Sequence, residues 1–113
     1  MDRQRIRYEL LKLIERQPDL DQRGLARELG VSLGSTHYLL RALIEKGYIK
    51  IGNFSRSRNK RGYVYQLTPS GLEAKWRQAA AFLAYKRSEH AALTEEIKEL
   101  ASELARRGEE QRR

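Results

Sequence analysis

The sequence of 113 residues predicts a mainly α-helical fold with one small β-hairpin and a long C-terminal helix. Apolar residues recur every three or four positions in three segments before residue 47, as in amphipathic helices. Between residues 49 and 67 the apolar period falls to two, which indicates two short strands. From residue 72 the apolar residues follow a heptad pattern that no proline interrupts. The chain length allows one small domain.

The first two helices are short and amphipathic. The first ends before Pro18 and has its apolar side chains at Ile6, Leu10, Leu13 and Ile14. Asp21 is a suitable N-cap for the second helix, and Gly30 ends it because glycine readily adopts a left-handed conformation. Gly24 costs this helix about 1 kcal/mol relative to alanine, so the helix needs packing against its neighbours. The residues predicted to pack are Leu25, Ala26 and Leu29.

A third helix over residues 33–46 follows, with Ser32 as its N-cap and Gly47 at its end. The residues expected to face the core are Thr36, Leu39, Leu40 and Leu43. A hairpin comes next, and its alternating apolar residues are Ile49 and Ile51, then Tyr63, Tyr65 and Leu67. The segment SRSRNKRG between these strands is predicted to be a basic loop. Thr68 and Pro69 form a cap and a first helical residue for the last helix.

The last helix is predicted to be long enough to need a partner. Ten positions, which we call the seam, are spaced alternately by four and three: Leu72, Trp76, Ala79, Leu83, Lys86, His90, Leu93, Ile97, Leu100 and Leu104. Eight of them are apolar, which is typical of a coiled coil and predicts a homodimer through this helix. The alternative is a break near residues 88–90, which would give a helical hairpin. The flanking charges favour neither parallel nor antiparallel pairing.

The positive charge lies mainly in the first part of the chain. The net charge is +8, and the pI is about 10.0. Residues 1–68 contain 14 Lys and Arg against 7 Asp and Glu, whereas residues 69–113 contain 9 against 8. From position 46 to 61 there are six basic residues and no acidic one. Such a surface attracts polyanions, including DNA, RNA and acidic membranes.

Several classes of function lack support in the sequence. Cysteine is absent, and His37 and His90 are the two histidines, so neither a disulfide nor a metal site within one chain is predicted. No apolar run reaches the roughly 18 residues of a membrane span, and the charged N-terminal segment is unlike a signal peptide. No phosphate-binding glycine loop or nucleophile with a base is present. We therefore expect a cytoplasmic protein that is not an enzyme and has no cofactor.

The order helix, turn, helix and basic hairpin is that of a winged helix-turn-helix, whose second motif helix enters the DNA major groove. The segment DQRGLARELGVS supplies the parts of the turn. Leu25, Ala26 and Leu29 pack the first motif helix against the second, Gly30 makes the turn, and Val31 fills the corner. This arrangement predicts double-stranded DNA as the partner.

Three segments resemble MarR-type winged-helix regulators of bacteria: LARELGVS, LLRALIEKGYI and NKRGYVYQLTPSG. The run SLGSTHYLLRALIEKG and the long last helix are similar to small MarR-like proteins associated with exopolysaccharide (EPS) gene clusters. The resemblance covers about residues 5–105 and implies a dimeric DNA-binding transcriptional regulator. Larger MarR proteins have an extra N-terminal helix and a separate C-terminal one that shape a pocket for phenolic ligands. The single long helix of this chain leaves a small-molecule effector without support.

These observations divide the chain into three parts. Residues 1–68 are predicted to be a winged helix-turn-helix DNA-binding domain, residues 69–107 a dimerisation helix, and residues 108–113 a flexible tail. The predicted dimer interface consists of the seam residues Leu72, Trp76, Ala79, Leu83, His90, Leu93, Ile97, Leu100 and Leu104. Trp76 is interpreted as packing in the core or interface rather than as part of a ligand site. His90 is interpreted as a tolerated polar seam residue, with an acid-sensitive contact as the alternative.

The predicted DNA contacts lie in three places. The outer face of the third helix offers Ser32, Leu33, Gly34, Ser35, His37, Tyr38 and Arg41. Arg41 suits guanine or a phosphate, and Leu33 suits the methyl group of thymine. The loop offers Arg56, Arg58, Lys60 and Arg61 for phosphates or the minor groove. Gln22 and Arg23, at the start of the second helix, suit phosphates. The alternative for His37, for the loop and for this last pair is solvated surface.

Three functions remain open from the sequence. The first is a sequence-specific, dimeric DNA-binding regulator that recognises an inverted repeat. The second is a winged-helix adaptor that binds a protein through the heptad helix. The third is RNA or non-specific nucleic-acid binding, which the absence of aromatic residues from the basic loop disfavours.

Overall fold

The structure is a computed structural model that describes residues 3–52 and 63–112. Within these residues it confirms the predicted fold class, a mainly helical chain with a small antiparallel hairpin. In chain order the elements are α1 (Arg3–Arg16), α2 (Gln22–Leu29), α3 (Leu33–Glu45), β1 (Ile49–Ile51), β2 (Tyr65–Leu67) and α4 (Pro69–Arg112).

The chain divides into two compact units, Met1–Ala79 and Ala80–Arg113. The first unit contains α1 to α3, the hairpin and the beginning of α4. The second unit is helical throughout its described residues. No helix within 3–52 or 63–112 is long and apolar enough to cross a lipid bilayer.

The caps of α2 are those that the sequence predicts. The Asp21 carboxylate accepts a hydrogen bond from the Gly24 amide at 2.8 Å. Gly30 has a φ of 69°, and its N–H donates to the Ala26 and Arg27 carbonyls. This left-handed residue satisfies two carbonyls that the helix end would otherwise leave unpaired, and it fixes the turn into α3.

The N-terminus of α3 is held by its own hydroxyl groups. Ser32 Oγ accepts from the Ser35 amide at 3.1 Å, and the Thr36 hydroxyl donates to the Ser32 carbonyl at 3.0 Å. All four residues predicted to face the core are buried, namely Thr36, Leu39, Leu40 and Leu43. The helix ends at Glu45, and Gly47 makes the turn into the hairpin with a φ of 78°.

One hydrophobic core joins the elements of the first unit. Its most buried members come from α1, α2, α3, both strands and the start of α4: Leu10, Leu11, Ile14, Leu25, Leu39, Leu40, Leu43, Ile49, Tyr65 and Ala74. Burying a leucine or isoleucine stabilises a fold by about 2 kcal/mol. This shared core therefore sets the orientation of α3, whose opposite face stays in solvent.

The second strand is shorter than the sequence predicts, because it begins at Tyr65 and does not include Tyr63. The strands pair antiparallel, with Ile49 opposite Leu67 and Ile51 opposite Tyr65. Beyond this register the Val64 carbonyl still accepts from the Gly52 N–H at 2.7 Å, but the Val64 N–H donates to the Pro18 carbonyl at 2.8 Å and not to the first strand. The turn after α1 therefore binds the Val64 N–H, which would otherwise donate the next hydrogen bond between the strands.

The last helix is longer than expected and is not broken. It continues through residues 88–90, so the helical hairpin is ruled out, and it ends at Arg112 rather than near 107. Lys86 Nζ lies 3.4 Å from Glu89 Oε1, and this i,i+3 pair spans the start of the segment where the alternative placed a break. Gly108 does not end the helix, because a single glycine costs only about 1 kcal/mol. The segment predicted as a tail is thus helical as far as it is described.

An ion pair that the sequence does not predict joins α4 to α1. Lys75 is buried, and its Nζ lies 2.5 Å from Glu15 Oε1. The same Nζ lies 4.3 Å from the centroid of the Trp76 ring, within the range of a cation–π contact. No local sequence pattern predicts this pair, because its members are 60 positions apart in the sequence.

Removal of the negative charge from this pair should destabilise the fold. We expect Glu15→Gln to lower the free energy of unfolding by about 1 kcal/mol, because the buried ammonium loses its charged partner. The cost is modest because the Glu15 side chain is 38% exposed. Urea unfolding at a fixed protein concentration measures the change. The double variant Glu15→Gln with Lys75→Met removes both charges and should recover most of the loss. Equal stability of the wild type and the single variant would contradict a stabilising pair.

Candidate nucleic-acid interface

The outer face of α3 is open to solvent over its first nine residues. Leu33 is 43% exposed and Tyr38 is 67% exposed. The other members of this face are also exposed, namely Gly34, Ser35, His37 and Arg41. Because the buried residues of α3 hold the opposite side in the core, this face is presented on a rigid element. All of the predicted contact residues from Leu33 to Arg41 share this surface.

The hydroxyl groups at the start of α3 have different roles. Ser32 Oγ accepts from the Ser35 amide and donates to Ser35 Oγ at 2.9 Å. The Ser32 hydroxyl is therefore used within the cap, and it orients the helix start. The Ser35 oxygen accepts this bond, which leaves its own O–H free to donate. The predicted contact at Ser32 is thus less direct than the one at Ser35.

The start of α2 is less exposed than the face of α3. Arg23 is exposed, whereas Gln22 is half-buried. Asp21 occupies the Gly24 amide, so this helix start has one fewer free N–H for a phosphate. Of the two residues predicted here, Arg23 is the more exposed.

Four predicted contacts in the basic loop, Arg56, Arg58, Lys60 and Arg61, lie outside the described residues. The described part of the hairpin presents Lys50 and Ile51 to solvent, and Ile51 is 68% exposed. The described strands of the hairpin contain no acidic residue.

The predicted dimer residues are largely in solvent. In the second unit, the apolar seam residues Leu83, Leu93, Ile97, Leu100 and Leu104 are between 51% and 69% exposed. His90 is exposed as well. In the first unit, Ala79 is half-buried, Leu72 is 39% exposed and Trp76 is 62% exposed. Trp76 is therefore not a core residue of the single chain, and one face of its ring is covered by Lys75.

A cavity of about 420 Å³ lies between α1, the second strand and the start of α4. Its described lining is Ile14, Glu15, Pro18, Tyr63, Gln66, Leu67, Thr68, Pro69 and Leu72. Gln66 Oε1 is buried without a hydrogen-bond partner. Glu15, the charged residue in this lining, is paired with Lys75. The described lining thus provides no cation for a carboxylate ligand.

The comparison with protein families covers the first three helices. Residues 3–50 match the profile of a family described as winged helix-turn-helix DNA-binding. A search of curated proteins finds no match. The matched segment includes α3 and its exposed face, together with the helices that hold it.

Solved structures extend the similarity to most of the chain. A MarR family protein of Mycobacterium tuberculosis in complex with salicylic acid has a TM-score of 0.61 at 22% identity, covering 88% of this chain and 75% of that one. MepR, a transcription regulator of the Staphylococcus aureus multidrug efflux pump MepA, has a TM-score of 0.58 at 19% identity, with coverages of 88% and 78%.

Staphylococcus aureus MarR, in complex with salicylate and kanamycin, has a TM-score of 0.58 at 18% identity. The match covers 75% of this chain, which spans only 55% of the length of that protein. At such identities the similarity concerns the fold. Residues 3–50 therefore match a winged helix-turn-helix DNA-binding profile, and the chain has the fold of the MarR-family structures.

Proposed function

We propose that this protein is a sequence-specific DNA-binding transcriptional regulator of the MarR type, without enzymatic activity, that binds an inverted repeat as a homodimer. The observation that carries the proposal is the exposed face of α3, which has no acidic residue between positions 33 and 41. A rigid helix with donors and an arginine on its free side fits the major groove. The cytoplasm is the compartment that this function requires.

Charge supports DNA as the partner. The excess of basic residues lies almost wholly in residues 1–68, the part that contains α3 and the hairpin. DNA carries one negative charge per roughly 1.7 Å of helix axis, so a basic surface gains affinity by releasing counterions. Non-specific RNA binding is less well supported, because sequence-tolerant binding to single strands relies on aromatic residues beside the cations, and the basic loop SRSRNKRG contains none.

Exposure of the seam supports the homodimer. Five large apolar side chains of the second unit are more than half exposed, at the spacing of one helical stripe. Each leucine or isoleucine that such a stripe buries contributes about 2 kcal/mol. A second copy of the chain has the same apolar stripe, so pairing of the two helices buries the stripes of both copies. Two α3 helices related by a two-fold axis then read two half-sites one helical turn apart.

The most specific part of the proposal concerns the genes that this protein controls. The resemblance to the EPS-associated branch makes promoters of exopolysaccharide genes the first targets to search. Two structural neighbours hold small molecules, salicylate with kanamycin in one and salicylic acid in the other, but no observation on this chain supports an effector and we propose none.

Selection of bound duplexes from a random DNA pool at physiological salt tests the function. We expect enrichment of a sequence with two-fold symmetry and half-sites separated by about ten base pairs. Binding without enrichment would contradict sequence-specific recognition. Failure to bind any duplex, together with a monomeric state in solution, would favour the alternative function, an adaptor that binds another protein through its heptad helix.

Salt dependence provides a second test on the selected duplex. If a dimer neutralises about eight phosphates, log K should fall with log salt at a slope near −7. Fluorescence anisotropy at several salt concentrations measures this slope. A value shallower than about −2 would contradict binding through the phosphate backbone.

A further inference from the structure

We propose that α3 recognises thymine through contact between the Leu33 side chain and the 5-methyl group of the base. This inference rests on the proposed DNA-binding function and specifies which base that surface prefers. The major-groove edge of thymine carries the methyl group, an apolar group that the edges of adenine, guanine and cytosine do not have.

Leu33 is placed to reach a base. It is the first residue of α3, directly after the N-cap, and the N-terminal part of a recognition helix is the part that contacts base edges. Its side chain is apolar and 43% exposed, and it is not a member of the hydrophobic core. At the next residue, Gly34, a Cβ atom would have no other atom within 4 Å. Gly34 therefore places no side chain between its neighbour Leu33 and a DNA edge.

The other side chains of this face narrow the choice of base. Residues 33–41 contain no Asn or Gln, the side chains that pair with adenine through two hydrogen bonds. They contain no Asp or Glu to accept a hydrogen bond from cytosine. Arg41 suits guanine, and the free O–H of Ser35 suits any acceptor. The apolar contact of Leu33 thus adds a preference for thymine that these polar groups do not provide.

The test compares thymine with uracil, which differs by the methyl group alone. Each thymine of the selected operator is replaced in turn by deoxyuridine, symmetrically in both half-sites, and affinity is measured by anisotropy. At one position per half-site we expect wild-type binding to weaken about tenfold, because two methyl groups lose their apolar contact. The variant Leu33→Ala should bind the thymine and uracil duplexes equally at that position. Leu33→Met retains an apolar side chain and should retain most of the discrimination.

The comparison between variants separates this contact from changes in DNA shape, because removal of the methyl group alters the duplex equally for every variant. If Leu33→Ala still discriminates thymine from uracil as the wild type does, the proposed contact is wrong. If wild type binds its operator with specificity but tolerates uracil everywhere, this inference fails while the proposed function stands. If no duplex is selected at all, the proposed function itself fails.

Discussion

Two glutamates in the seam, Ile97→Glu together with Leu100→Glu, should convert the protein to a monomer and weaken operator binding by about 100-fold or more. Both side chains are exposed in the single chain, at 58% and 60%, so the substitutions leave the core of the first unit intact. In a dimer the same positions would bring four carboxylates into an apolar interface, where unpaired charge is strongly disfavoured. Without the dimer, the second half-site no longer benefits from the high effective concentration that the first provides.

A matched control places the same charges on the other side of the same helix. Ser88 and Ser102 are exposed and lie at the heptad positions farthest from the seam. Ser88→Glu with Ser102→Glu therefore changes the net charge equally and should remain a dimer with wild-type affinity. Sedimentation equilibrium gives the mass, anisotropy gives the affinity, and far-ultraviolet circular dichroism checks that both variants stay helical. A wild-type monomer, or a seam variant that stays dimeric, would contradict the proposed interface.

The helix-turn-helix could be predicted almost completely from the sequence because its signals are local. Asp21, Gly30 and Ser32 each act on residues within four positions of themselves, and the structure shows all three in their predicted roles. The core face of α3 follows from its period in the same way. The residues of α3 that do not belong to this core face could then be predicted to form its exposed face.

Contacts between distant segments could not be predicted in the same way. Tyr63 continues the alternation of a strand, yet β2 starts two residues later because the Val64 N–H bonds to the Pro18 carbonyl. Burial of Lys75 depends on Glu15, which belongs to the first helix. The heptad pattern likewise identifies apolar positions, but it does not determine their partner, since a single chain leaves them in water.

We expect Gly71→Ala to lower the free energy of unfolding by about 2 kcal/mol. Gly71 is buried at the start of α4, and a Cβ atom there would overlap the carbonyl oxygen of Tyr48. That oxygen belongs to the backbone of the turn that follows α3, so no side-chain rotation relieves the overlap. It also accepts a hydrogen bond from the Thr68 N–H at 3.0 Å, which holds the two segments together.

The cap of α4 makes this junction stiffer. Thr68 Oγ1 accepts from the Gly71 amide at 3.0 Å and donates to the Gly47 carbonyl at 2.5 Å. A shift of Gly71 away from Tyr48 would therefore strain the cap and the turn at Gly47, which precedes Ile49 of the core. One added methyl group would disturb three connected hydrogen-bonding groups. The structure therefore cannot accommodate it without a loss in the free energy of unfolding.

Gly108→Ala is the matched control, because it makes the same substitution in the same helix. A Cβ atom at Gly108 would meet no atom within 4 Å. In a helix interior, alanine is more favourable than glycine by up to about 1 kcal/mol. Urea unfolding of both variants at one protein concentration should thus give a lower midpoint for Gly71→Ala and no loss for Gly108→Ala. Equal midpoints would show that the turn at Tyr48 moves to accommodate a methyl group. The close approach of α4 to this turn would then not require glycine at position 71. A loss in Gly71→Ala alone would establish that glycine in the segment LTPSG is required by this approach.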